Sequence, residues 1–310
     1  MDASLRASAR PRGADEGAGL IPSTVIVPLD GSPAAEAALP LARMLASAFG
    51  AALQRVTVEP GPDDSIGVVS ADDEARFVLQ GEGVGDALLA HLGRQDGPLL
   101  CLATRARGGL HRRLTGNLVD HVVAGSRCPV LVVGPGVEDE TFAGPPATIL
   151  VAASDHLPPG SAELAGRWAM AMDADVVVAT VLPPTAAGPS GGRALGSLVE
   201  RVQRVERPGV GHGFLGGVAS SPAGPGDPLL GPLMEELAGL GIASQATVLT
   251  GGTVATSLLA YAEALPAPVL LVAPVGERDG RIPGDVTHQL LQRSRWPVVA
   301  SVGTPADPAA

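Results

Sequence analysis

Groups able to bind an anion are concentrated in residues 103–117, which lie between two apolar runs. Two adjacent glycines, Gly108 and Gly109, permit a turn with exposed backbone amides, and a helix is predicted to begin near Gly116 and Asn117. The segment also carries four arginines: Arg105, Arg107, Arg112 and Arg113. Free amides, a helix N-terminus and guanidinium groups favour phosphate or another anion as the ligand.

The segment is predicted to be the loop of a strand–loop–helix–strand unit. The apolar runs 99–102 and 130–133 are typical of parallel strands that are covered on both faces. Upstream, the pattern predicts strands at 25–28, 53–58 and 76–79 and helices at 33–48 and 85–92, with Ser32 as the first N-cap. Short right-handed crossovers then give a doubly wound α/β sheet with five parallel strands in the order 3-2-1-4-5.

An acidic residue, Asp30, follows the first strand of this predicted sheet, and the 103–117 loop follows the fourth. Strands one and four flank the point where the strand order reverses, so both groups are expected at one ligand crevice. Asp30 could contact a ligand there or brace the turn after its strand. The arginines could likewise clamp a phosphate or form a solvated face, and the loop glycines could serve only the turn.

A second copy of the pattern follows a linker. Residues 148–151 repeat 24–27 at an offset of 124, residues 270–273 repeat 100–103 at 170, and Pro297 repeats Pro129 at 168, so its loop is expected to be two residues shorter. We therefore predict a disordered tail (1–20), a first domain (21–136), a linker (137–147), a second domain (148–303) and a tail (304–310). Each domain is expected to bury its own core. The second should contain a mobile Pro/Gly-rich insertion near 183–226.

The charge balance and the motifs exclude several classes of function. A net charge of −11 argues against nucleic acid or an anionic membrane as the main partner. No signal peptide and no apolar run of membrane-spanning length is evident, so a cytoplasmic location is expected. The histidines and the two cysteines lack metal-ligand spacing, and no GxSxG, P-loop or HExxH motif occurs. We expect no metal, no catalytic residue and no enzymatic activity.

Three segments carry a resemblance to a known family: VIVPLDGSPAAEAALPLA, TRARGGLHRRLTGN and SRCPVLVVGP. They resemble the start and end signatures of the universal stress protein family, here in a tandem two-domain arrangement. The resemblance implies a fold of the adenine nucleotide alpha hydrolase type. In the nucleotide-binding branch it also implies ATP or a related adenine nucleotide in the crevice, and it suggests a homodimer that pairs through the final strands.

The resemblance also implies which residues would form the nucleotide site. Asp30 stands where the family has the acidic residue near adenine and ribose, Thr57 stands near the base-contacting position, and Leu118 and Val119 would add backbone contacts. The family motif has glycine, two residues, glycine, nine residues, glycine, and then serine or threonine. This chain keeps the spacing, and the four positions are filled by Ala103, Ala106, Gly116 and Asn117. Only Gly116 matches the family motif, and the other three residues differ from it.

These substitutions leave two hypotheses open. An alanine in place of a required glycine either strains the backbone or obstructs the approaching phosphate, so ATP binding in the first domain should be weak. In the second domain, Ser154 replaces Asp30 and Asp285 would repel phosphate, so that domain is interpreted as a non-binding partner. The chain is therefore a stress-response regulatory module with a weak adenine nucleotide site or, alternatively, an interaction scaffold whose sites are vestigial.

Overall fold

The computed structural model describes twelve stretches of the chain, which are residues 20–61, 66–70, 75–81, 83–104, 112–137, 144–153, 160–182, 214–215, 218–224, 227–266, 268–275 and 285–301. Six strands come from the N-terminal part: β1 (Thr24–Pro28), β2 (Ala52–Pro60), β3 (Ile66–Ser70), β4 (Ala75–Gly81), β5 (Pro98–Ala103) and β6 (Val130–Val133). Seven follow: β7 (Thr148–Ala153), β8 (Asp175–Leu182), β9 (Phe214–Leu215), β10 (Val218–Pro222), β11 (Ser244–Thr250), β12 (Val269–Pro274) and β13 (Val298–Ser301).

Eight helices connect these strands within the described stretches. Four belong to the N-terminal part: α1 (Pro33–Glu36), α2 (Leu39–Phe49), α3 (Val84–Leu92) and α4 (Arg112–Gly125). The other four are α5 (Ser161–Met172), α6 (Gly231–Gly239), α7 (Val254–Ala262) and α8 (Asp285–Arg293).

The described strands form a single sheet in the order β3-β4-β2-β1-β5-β6-β13-β12-β7-β8-β11-β10-β9. Strands β4, β2, β1, β5 and β6 are mutually parallel and form the N-terminal set. Strands β11, β8, β7, β12 and β13 are also mutually parallel and form the C-terminal set. Both sets have the predicted order 3-2-1-4-5. This part of the fold prediction is confirmed.

The two sets are not separate sheets but are joined edge to edge. Strand β6 pairs antiparallel with β13, and Leu131 lies opposite Val299 at the centre of the pairing. Both strands are short, apolar and buried, so an unpaired edge would leave backbone donors and acceptors unsatisfied. The edges proposed for a homodimer are thus occupied within one chain. The homodimer itself stays a prediction.

The core is shared between the two sets, contrary to the expectation that each domain buries its own core. One face of the sheet packs against α2, α5 and α6, and we call this the first core layer. The other face packs against α3, α4, α7 and α8 and forms the second core layer. Each layer contains apolar residues from both sets, because the β6–β13 pairing continues the sheet surface across the junction.

The first helical segment follows the sequence closely at its ends. Ser32 caps α1, its hydroxyl accepting from the Ala35 amide at 3.2 Å, and Gly50 ends α2 with φ +64°. The predicted continuous helix is instead two helices, with α2 starting one residue before Pro40. Proline has no amide hydrogen for an interior helical bond and is tolerated in a first turn, which explains the break.

The observed start of helix α4 differs from the predicted start, which lay within the candidate site. The sequence predicted its start near Gly116 and Asn117, whereas the helix begins at Arg112. Because helical backbone bonding continues from Arg112 through these positions, Gly116 and Asn117 lie inside the helix and Asn117 does not cap it.

The Pro/Gly-rich insertion and the strand β3 also differ from expectation. Within the insertion, β10 pairs antiparallel with both β11 and β9, so the absence of regular structure predicted across 183–226 is wrong for these two short strands. Residues 183–213 lie outside the described residues. Strand β3, which the sequence did not predict, pairs antiparallel with β4 at the opposite edge.

The fourth strands of the two copies, β5 and β12, correspond one residue away from the match predicted by the sequence offsets. Thr24 lies opposite Pro98 and Thr148 lies opposite Val269, so the fourth strands correspond at an offset of 171, not 170. Leucine and valine runs do not reveal such a shift, but the sheet does, because a slip of one residue exchanges the two faces. The whole segment between β12 and β13, loop and helix together, is therefore three residues shorter than the segment between β5 and β6.

Candidate functional site

The candidate site lies at the carboxyl ends of β1 and β5, which are neighbouring parallel strands. Ile26 lies opposite Leu100, and Leu29 and Ala103 each follow three residues later. The first turn after β1 and the loop after β5 therefore start side by side. Strand order reverses between these two strands, which is the position at which open α/β sheets bind ligands.

Asp30 has a structural contact in the turn after β1. Its Oδ1 accepts a hydrogen bond from the Ser32 amide at 2.9 Å, and Gly31 between them has φ +79°. A side chain rarely adopts that backbone conformation, so glycine is required at this position. Asp30 is exposed, and it lies two residues after the end of β1. Bracing the turn, one of the two roles left open by the sequence, is therefore present in the structure.

Thr57 lies on β2, next to the end of β1. The Leu29 amide donates to the Val56 carbonyl at 2.7 Å, which extends the β1–β2 ladder to the residue before Thr57. Thr57 lies four residues after Leu53, a first-layer core residue, so it is on the same face of the sheet as Leu29 and Ala103. Its side chain is exposed, which fits a position beside a bound group.

Ala103 ends β5 and is half-buried against the first core layer. Among the described residues other than glycine, a positive φ occurs only at Asp173, so the backbone of Ala103 does not require glycine. Of the two ways in which alanine could weaken binding here, only obstruction by the methyl group remains. Thr104 continues the ladder, its amide donating to the Val133 carbonyl at 2.9 Å.

Part of the predicted site lies outside the described residues, namely Arg105, Ala106 and Gly108. Further along, Leu118 packs against the second core layer and Val119 is buried in it. Only the first four amides of a helix lack an intrahelical partner, and these two residues come later in α4. The backbone contacts expected from Leu118 and Val119 stay a prediction, and their position inside α4 leaves the carbonyl and amide groups of a helix interior for such contacts.

Solved structures with the same architecture extend over nearly the whole chain. A universal stress protein from Archaeoglobus fulgidus matches with a TM-score of 0.58 and 13% identity over 92% of this chain and 99% of its own. A putative universal stress protein from Pseudomonas aeruginosa matches with a TM-score of 0.59 and 14% identity over 93% and 95%. The chain has the universal stress protein fold. A functionally unknown protein from Pseudomonas aeruginosa matches equally well, with a TM-score of 0.59 and 14% identity.

Matches at this level of identity establish the fold and leave the activity to be argued from the site. No protein-family model matches the sequence, and no curated protein matches it. The resemblance drawn from the three sequence segments is thus supported by the universal stress protein fold.

The crevice of the C-terminal set differs from that of the N-terminal set within this universal stress protein fold. By the corrected register, Pro274 stands at the position of Ala103, which replaces the earlier assignment of Ala273. Thr180 on β8 stands at the position of Thr57, but it is buried, with 4% of its surface exposed. Ser154 lies outside the described residues. The position that is exposed at Thr57 is thus buried in the C-terminal set.

Two residues of the N-terminal site were missed by the sequence analysis. Gly31 makes the Asp30 turn possible, and the Asp-Gly-Ser order was the available signal. Thr104 fixes the start of the loop after β5 through both its amide and its hydroxyl, which lies 3.4 Å from the Val133 carbonyl. No pattern distinguished this threonine from other polar residues after a strand.

The described stretches contain no group of three or more His, Cys, Asp or Glu side chains arranged to hold a metal ion. None of their helices combines the length and apolarity needed to cross a membrane. Three described histidines instead make side-chain contacts between structural elements: His91 to Gln54, His121 to Asp86 and His288 to Asp120.

Proposed function

We propose that this chain is a universal stress protein-like regulatory module that binds an adenine nucleotide, ATP or a relative of it, weakly in the crevice between β1 and β5. The module acts in the cytoplasm through contacts with partner proteins and performs no chemistry of its own. The C-terminal set serves as a non-binding partner.

One observation carries this proposal: Thr57 on β2 and Ala103 on β5 lie on either side of the carboxyl end of β1, which Asp30 follows by two residues. A carboxylate at this place can accept hydrogen bonds from ribose hydroxyls, and the exposed face beside Thr57 can receive a base. Weak binding is expected because the Ala103 methyl group stands where the loop must approach the phosphates.

The decisive experiment is calorimetric titration of ATP into the full chain and into two variants of Asp30. Asp30→Asn keeps an oxygen that can accept from the Ser32 amide but removes the charge, whereas Asp30→Ala removes both. If Asp30 contacts the nucleotide, both variants lose affinity while Asp30→Asn retains thermal stability. If it only braces the turn, Asp30→Asn binds ATP as wild type does.

Asp175→Ala is the matched control, because this exposed aspartate starts β8 and so lies at the opposite end of the strands. It changes the net charge equally and should leave ATP affinity unchanged. Absence of ATP binding in wild type and in the glycine variants described below would reject the nucleotide site. The interaction scaffold would then replace it.

A further inference from the structure

At the junction between the two sets, where β6 pairs with β13, residues at equivalent positions of the two copies lie opposite one another. Leu131 and Val299 are 168 positions apart, the offset that relates the two copies in this region, and they face each other in the β6–β13 pairing. An approximate twofold axis therefore passes between them. Asp120 on α4 and His288 on α8 are separated by the same offset and meet across this axis.

Asp120 and His288 form a side-chain hydrogen bond between α4 and α8. His288 Nδ1 lies 3.0 Å from Asp120 Oδ1, and the side chains are 33% and 27% exposed, respectively. Gln292 Nε2 lies 2.7 Å from His288 Nε2. An amide nitrogen only donates, so the ring Nε2 accepts and the Nδ1–H donates to Asp120.

Pairing two like sets would destroy this contact. Two N-terminal sets would bring Asp120 against a second Asp120, which gives two acceptors of the same charge and no donor. Two C-terminal sets would bring His288 against a second His288 and would leave no carboxylate. Of the three possible pairings, only that of unlike sets places a carboxylate opposite a ring N–H donor.

A second, independent feature of the junction is also asymmetric. The chain leaving β6 passes over the end of α8 so closely that a Cβ at Gly136 would lie 2.8 Å from the Ser294 carbonyl oxygen. A Cβ at Gly134 would lie 3.0 Å from the Leu291 carbonyl oxygen. The residues 168 positions later in the sequence are Val302 and Thr304. The sequence therefore has no glycine at either of the equivalent positions of the C-terminal copy.

We propose that the surface formed by β6, α4 and Gly134–Gly136 is selective for the surface formed by β13 and α8 of the same chain and rejects a second copy of itself. The internal junction is therefore closed, and neither β6 nor β13 is left to pair with a second copy. This inference opposes the homodimer through the final strands and does not depend on nucleotide binding.

The first test is the mass of the full-length wild-type chain, measured by sedimentation velocity across a wide range of concentrations. The mass is measured for wild type and for His288→Asp, and the two proteins are expected to have the same mass at every concentration. A wild-type dimer that His288→Asp abolishes would overturn the proposal, and equal masses support a closed junction.

The second test compares unfolding of three full-length proteins. His288→Asp creates an aspartate pair inside the chain and should lower the folding equilibrium constant by about tenfold. The exchange Asp120→His with His288→Asp restores an unlike pair and should recover most of that loss. Equal stabilities of wild type and His288→Asp, or an exchange variant no better than His288→Asp, would contradict the selective role of the pair.

A third measurement keeps selectivity testable if a variant fails to fold. A protease recognition sequence is placed within residues 138–143, and the wild-type chain is folded intact and cleaved afterwards. Native mass spectrometry should then detect complexes of one N-terminal with one C-terminal fragment. Complexes of two identical fragments would refute the proposal.

Discussion

Nε2 of His91 lies 3.0 Å from Oε1 of Gln54, and this contact ties the last turn of α3 to β2. The ring also lies near Phe77, with 5.7 Å between ring centroids, and only 1% of the residue is exposed. The Gln54 oxygen accepts from Nε2–H, and Nδ1 has no hydrogen-bond partner among the described residues. A protonated ring would leave a buried Nδ1–H without an acceptor, which is costly. His91 is therefore buried as a neutral ring.

The stability of the fold should fall in mild acid because of His91. Burial lowers the pKa of His91 below its ordinary value of 6.5, and the nearby Arg94 charge lowers it further. Above about pH 6.5, the ring is neutral in both the folded and the unfolded chain. As the pH falls below that value, the unfolded chain takes up a proton before the folded one, so stability is lost down to the folded-state pKa.

This pH dependence is measured by urea unfolding between pH 5 and pH 8, in the range of about 1.5 pH units on either side of the ordinary histidine pKa. His91→Gln cannot take up the proton and should have a smaller loss of stability in acid than wild type. Arg94→Gln removes the neighbouring charge and should give an intermediate slope. An unchanged slope in His91→Gln would show that other groups cause the loss.

Adding a methyl group at Gly136 should destabilise the junction between the two sets. The new Cβ would meet backbone atoms of Ser294 and Arg295, which cannot move as a flexible side chain can. Gly136→Ala is expected to lower the free energy of unfolding by about 1–3 kcal/mol. Gly144→Ala is the control, since no atom lies within 4 Å of a Cβ there, and its unfolding midpoint should match that of wild type.

Trp168 should contribute a hydrogen bond that Trp296 does not. Trp168 Nε1 donates to the Leu20 carbonyl at 2.9 Å in the first core layer, which holds the segment before β1 against the C-terminal set. Trp168→Phe leaves that carbonyl without its donor and should cost about 1–3 kcal/mol in unfolding free energy.

The comparison variant is Trp296→Phe. The Nε1 of Trp296 is buried and has no partner among the described residues, so the same substitution breaks no hydrogen bond there. Denaturant titration should show a smaller loss for Trp296→Phe than for Trp168→Phe. Equal losses would mean that ring volume, and not the hydrogen bond to Leu20, determines the cost.

ATP affinity should rise when glycine is restored in the loop after β5. Ala103→Gly together with Ala106→Gly removes two methyl groups from the predicted phosphate path and should tighten binding at least about tenfold, or about 1.4 kcal/mol. Asn117→Ser should change affinity little, because position 117 lies inside α4 and does not cap it. Calorimetric titration of both variants checks this. A larger gain in ATP affinity from Asn117→Ser than from the two glycine substitutions would show that the alanine methyl groups do not limit binding.

The strand order and the meeting of Asp30 with Ala103 could be predicted from the sequence. Apolar runs without alternation identify buried parallel strands, and right-handed crossovers then leave one order for five of them. The start of α4 could not be predicted in this way, because Gly116 and Asn117 resemble a helix start although helical bonding already begins at Arg112. Local residue preferences do not determine such a boundary when neighbouring arginines and leucine also favour a helix.

The sequence by itself determined what each copy is: its strands, their order, and the crevice at which Asp30 and the β5 loop meet. Only the tertiary structure decided how the copies combine, through the pairing of Leu131 with Val299, the shared core layers and the contact of Asp120 with His288. The physical reason is the range of the interactions. Strand and helix patterns follow from residues close in the chain, whereas the pairing of two exposed strand edges depends on backbone groups that every sequence has and no pattern distinguishes.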